Sequence, residues 1–166
     1  MLCPKSIIIK ELLSVWTARR ARTALTIIGE TLPCFELARY QFYGQMHTDA
    51  TQRRQISRDN ILISPRDDDG KLLCPKLLST TILSENGKAE TVCNSIVATF
   101  EAKAHLLTDW KEIHERMFPG DEHNIPNARD ISITKLHNGG VVTTDTCNSA
   151  RSLATKLVRT IIEKEV

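Results

Sequence analysis

The 166-residue sequence has no apolar run near the roughly 20 residues that a membrane-spanning helix needs, so no membrane partner is expected. Its apolar opening, SIIIKELL, is broken by Lys10 and Glu11, which removes it as an anchor or a signal h-region. The five cysteines (Cys3, Cys34, Cys74, Cys93 and Cys147) are scattered, and no two stand as Cys-x-x-Cys. That argues against both a zinc ribbon and a secreted disulfide framework. Reduced, mostly buried thiols are expected, in an intracellular chain that would be nuclear in a eukaryotic source. Internal repeats and low-complexity tracts are also missing. His105, His114 and His123 recur at nine-residue intervals, a spacing that on a helix rotates them too far apart to share a zinc ion. Cys147 is followed by Arg151 too closely for the phosphate-cradling loop of a cysteine phosphatase.

What is present is ordinary for a soluble globular domain: 41% hydrophobic and 25% charged residues, in a length that suits one domain with a real core. The net charge of +2 hides an asymmetry, because residues 1–58 hold nine Lys/Arg against four Asp/Glu. A basic first third can meet phosphates, although a solvated helix face accounts for the same excess.

Ser6 is placed to cap a helix with Ile9, Leu12, Leu13 and Trp16 at helical spacing, and Leu25, Ile28 and Leu32 continue the period. Pro33 is expected to kink or restart this helix, with a second segment running to Tyr43. Residues 1–43 therefore read as a basic helical segment, with Arg19, Arg20 and Arg22 on one turn and Trp16 in the core. Residues 44–166 read as an α/β unit. Three strands in a meander are expected near 45–49, 59–64 and 72–83, with Asp69-Gly70 as a hairpin turn and Pro75 marking an edge or bulge. A helix from about Ser84 to Phe118 carries the stripe Ala89, Val92, Cys93, Ile96, Val97, Phe100, Ala104 and Leu107. A turn-rich loop follows, then a short β-branched strand, GVVTTD, and a last helix with Ala150, Leu153, Ala154, Leu157, Val158 and Ile161 inward. Trp110 is expected in the core.

A meander followed by a right-handed strand–helix–strand crossover puts the first and fourth strands side by side and parallel. Asp49 ends the first and Asp145 ends the fourth, so their carboxylates converge at one end of the sheet. Paired acids on a rigid sheet suit hard divalent cations, which take oxygen ligands. Asp145 also reads as an N-cap of the last helix, and the two roles are compatible. Asp49 has no capping role.

HTDATQRRQ (47–55) and VVTTDTCNSAR (141–151) resemble the first- and fourth-strand motifs of the ribonuclease H-like catalytic core of cut-and-paste DNA transposases. The resemblance covers about residues 45–166 by element order and is sharp at the two Asp motifs. It implies an α/β ribonuclease H-like mixed sheet (β-β-β-α-β-α) behind the N-terminal helical segment. It also implies hydrolysis and strand transfer at DNA phosphodiesters with two Mg²⁺ or Mn²⁺ ions held by Asp49 and Asp145. Glu90, in the first turn of the long helix, is a candidate third metal ligand, and a first-turn acid also serves the helix dipole. Arg19, Arg20, Arg22, Arg53 and Arg54 are candidate phosphate contacts. That family carries a third acid on a helix after a fifth strand, whereas this sequence stops in the helix after the fourth. A fragment, weak or inactive alone, is therefore expected, with DNA as partner and self-association compatible with the family. The alternative is a non-catalytic α/β module that holds nucleic acid or a protein through its basic helical front.

Overall fold

A computed structural model describes residues 15–53, 56–83, 88–121, 125–136, 140–143 and 148–165. The predicted helical start over 1–14 lies outside them. The elements run α1 (Val15–Ala38), β1 (Tyr43–Arg53), β2 (Ile56–Pro65), β3 (Lys76–Leu83), α2 (Ala89–Met117), β4 (Val141–Thr143) and α3 (Asn148–Glu165). The fold is α/β, and its four strands form one mixed sheet in the order β3-β2-β1-β4.

The meander forms because each of its strands alternates. Met46 and Thr48 on β1 and Ile61 and Ile63 on β2 are buried, while Gln45, His47, Asn60 and Leu62 between them are only partly so. The antiparallel register places Met46 against Ile63 and Thr48 against Ile61, so the apolar sets share one face. The 67–71 turn closes as its sequence suggests. Gly70 takes φ +77°, and Asp67 Oδ1 accepts the Lys71 N–H at 2.8 Å. The expected third strand is shorter than its sequence run, beginning at Lys76 directly after Pro75, and it forms an outer strand of the sheet.

α2 buries Val92, Cys93, Ile96, Phe100 and Leu107 from its stripe, and α3 buries Leu153, Leu157 and Ile161. Val158, expected inward, is 52% exposed, because an i, i+4, i+8 row is all that α3 presents to the core. The turn-rich segment before β4 contributes more than a loop. Two 3-10 turns, Ala128–Asp130 and Ile133–Leu136, put Ile131, Ile133 and Leu136 into the core. Lys135 latches them to the end of α1, donating to the carbonyls of Tyr40 (2.7 Å) and Asp130 and, at 3.4 Å, of Ala38. A cation on the last carbonyls of a helix also suits its dipole. Gly140 leads into β4 where its backbone crosses Leu136 so closely that any Cβ would overlap that residue's carbonyl.

Three expectations for the first third need correction. α1 does not restart at Pro33; it passes through the proline and ends at Ala38, and Tyr43 opens β1. Tertiary docking outweighs the missing N–H: Cys34 and Leu37 are fully buried, and side chains serve neighbouring carbonyls, Thr31 Oγ1 on Ile27 and Cys34 Sγ on Glu30. Trp16 is not core, being 59% exposed with the Arg20 guanidinium 3.3 Å above its ring. All of α1 from Val15 to Glu30 is exposed, so helical spacing alone does not bury Trp16. Trp110 is partly buried and donates its Nε1–H to Thr31 Oγ1 at 3.1 Å.

Candidate functional site

The candidate site lies where β1 and β4 run side by side. Their pairing is parallel, with Gln45 opposite Val141, Met46 opposite Val142 and His47 opposite Thr143. Gln45 Nε2 donates to Thr143 Oγ1 at 2.7 Å, tying the strands on the less buried face. Adjacent, parallel first and fourth strands match the expected strand order, with β4 outermost among the described strands.

The five-residue spread of predicted phosphate contacts divides between two elements. Arg19, Arg20 and Arg22 are exposed on the outer half of α1. Arg53 closes β1, where only its backbone is described, and Arg54 lies outside the described residues. Asp49 belongs to β1 by its backbone, in register with Asn60 of β2, but it does not end the strand as expected, because the pairing with β2 continues to Arg53. Asp145 lies outside the described residues, two positions beyond Thr143, the last described residue of β4. Glu90 sits exposed in the first turn of α2, with Lys156 Nζ of α3 3.1 Å from its Oε2. Among the described residues, no three His, Cys, Asp or Glu side chains cluster as metal ligands.

Two polar residues matter that the sequence reading did not single out. Asp59 on β2 is wholly buried, in register with Ala50 of β1 and Thr81 of β3. The signal was available: Asp59 shares strand parity with Ile61 and Ile63, so alternation puts it on the apolar face. Lys103 on α2 is 5% exposed and reaches Glu30 Oε2 of α1 at 2.5 Å. A cleft of about 420 Å³ opens beside that pair, lined also by Ser79, Ser95 and Thr99. Its one cation is matched by its one carboxylate, which leaves little net charge to draw an ionic ligand. Near the start of β1, burial pushes the Tyr43 hydroxyl well above the ordinary tyrosine range, helped by Cys34 and Asp130. Burial likewise raises the Cys34 thiol and lowers the Lys135 ammonium.

The fold is that of an α/β protein with a four-stranded mixed sheet and long flanking helices. In comparisons with family models, curated proteins and solved structures, no match to this chain was found.

Proposed function

We propose that the chain is a ribonuclease H-like polynucleotidyl transferase core of the transposase type, with Asp49 and Asp145 as its metal-binding acids. One observation carries this reading. The spacing that pairs Gln45 with Val141 and His47 with Thr143 is the same spacing that separates Asp49 from Asp145. Continuation of that parallel register by two residues would align the two acids across neighbouring strands. The sheet order, with the first strand between the second and the fourth, supports the same reading.

Two carboxylates suit a hard cation, and Thr51, Thr143 and Thr144 nearby in sequence add hydroxyl oxygens. Mg²⁺ or Mn²⁺, when bound, would polarise a phosphodiester and lower the pKa of a water or hydroxyl. The chain's own part would be to hold Asp49 on β1 and Asp145 just past β4, on neighbouring parallel strands that limit how far the two acids can move apart. Glu90 has an alternative employment, since its ion pair with Lys156 fastens α2 to α3. The arginines of α1 and of the β1 end are the candidate contacts for DNA phosphates.

Thermal melts with and without Mn²⁺ on the wild type, Asp49→Asn and Asp145→Asn test the reading. Converging carboxylates repel without a cation, so each Asn variant should melt slightly higher in its metal-free form and lose the Mn²⁺-dependent rise. A wild type indifferent to Mn²⁺, with both variants less stable, refutes the site.

A further inference from the structure

α1 has two apolar stripes, and the body of the protein uses only one. Thr31, Cys34, Leu37 and Ala38 are buried against the sheet and α2. Ala18, Ala21, Leu25, Ile28, Leu32 and Phe35 form the other stripe, at alternating steps of three and four. At about 100° per residue this second row lies on the opposite side of the helix from Cys34. Its large members are open to water, with Leu25 69%, Ile28 56% and Leu32 56% exposed. Only Phe35, where the stripe reaches the body, is half-buried.

Strict three–four alternation is the narrow seam of a two-helix coil, not the wider stripe of a helix lying on a sheet. Gly29, next to Ile28 of the seam, faces open space and has no side chain to hold a partner helix off. Charge then selects a direction. The N-terminal half carries Arg19, Arg20 and Arg22, and the C-terminal half carries Glu30 and Glu36. Parallel pairing with another α1 would stack six arginines at one end. Antiparallel pairing about Ile28 opposes Leu25 to Leu32 and small Ala21 to large Phe35, and it brings Arg22 towards Glu36 of the second copy.

We propose that α1 is a self-association surface, pairing with α1 of a second copy as an antiparallel homodimer whose two-fold axis passes near Ile28. The seam is self-complementary under that axis, as an isologous contact requires. Glu36, which reaches Lys76 of β3 at 3.0 Å, would link the dimer seam to the sheet of its own chain. The contact is small beside the roughly 800 Å² per partner of standard interfaces, so a reversible, concentration-dependent dimer is expected. This inference stands independently of the metal site.

Sedimentation equilibrium of the full chain tests it. The average mass should rise with concentration from the 18.7 kDa of one chain towards twice that value. Leu25→Glu and, separately, Ile28→Glu should hold the protein at the single-chain mass with unchanged far-ultraviolet circular dichroism. Under mild oxidation Ile28→Cys should give a covalent dimer above the wild-type background, and Ala21→Cys should not. A wild type monomeric at every concentration overturns the proposal, as does a dimer indifferent to both glutamate variants. Equal cross-linking at positions 21 and 28 would overturn the antiparallel arrangement.

Discussion

Replacing Tyr43 by Phe should stabilise the protein, and by more at alkaline pH. Tyr43 is 1% exposed, its ring lies 6.3 Å from that of Phe100, and its hydroxyl has no hydrogen-bond partner among the described residues. A buried, unsatisfied polar group costs about 1–3 kcal/mol, and the Phe variant removes the hydroxyl while keeping the ring. We expect a gain of about 1 kcal/mol near pH 7, allowing for the small void left behind, or roughly 2–4 °C in Tm at this chain length. The second part follows from linkage. Burial raises the Tyr43 pKa in the folded state, whereas the unfolded chain ionises near the ordinary value of about 10. Above that pH the unfolded state holds fewer protons, so wild-type stability falls as pH rises, by about 1.4 kcal/mol at pH 11 from this residue alone. Tyr43→Phe lacks that loss, and its advantage should therefore grow to about 2.4 kcal/mol at pH 11. Lys135 acts with the opposite sign, since its lowered folded pKa makes stability rise as pH climbs towards about 10.5, but it is common to both proteins and cancels in the difference. Urea unfolding of the two proteins at pH 7, 9 and 11 measures all of this. Parallel alkaline slopes, or a Phe variant less stable than wild type at pH 7, would refute the account of Tyr43 as a buried, orphaned hydroxyl.

Glu30→Gln should cost on the order of 1–3 kcal/mol, between the ranges for exposed and buried pairs, because Lys103 is left buried while Glu30 itself is 59% exposed. Lys103→Met in the same background should restore most of that loss, and denaturant midpoints of the single and double variants check the coupling. Among the described cysteines, alkylation of the native protein followed by mass mapping should label exposed Cys74 and spare Cys34 and Cys93, which are buried. Burial also holds the Cys34 thiol protonated, so raising the pH to 9 should still leave Cys34 slow until the protein unfolds.

The sequence by itself determined the elements whose signals are local or strongly periodic. The α2 and α3 stripes name their own buried faces, Val158 excepted, because 3.6-residue periodicity leaves one side to pack. The Asp69-Gly70 turn closes where glycine alone tolerates φ +77°, and Pro75 restricts its strand to the sheet edge. Even the parallel adjacency of β1 and β4 was legible, since crossover handedness leaves few topologies for this order of elements. Register was not legible, because it is fixed by how α2 and the two 3-10 turns seat the fourth strand against the first. Only the assembled structure decided that α1 continues through Pro33, where the burial of Cys34 and Leu37 outweighs a lost helical hydrogen bond. It likewise decided that Trp16 stays in water while Lys103 does not. Spacing along a chain states which residues share a face; what that face meets depends on elements distant in sequence.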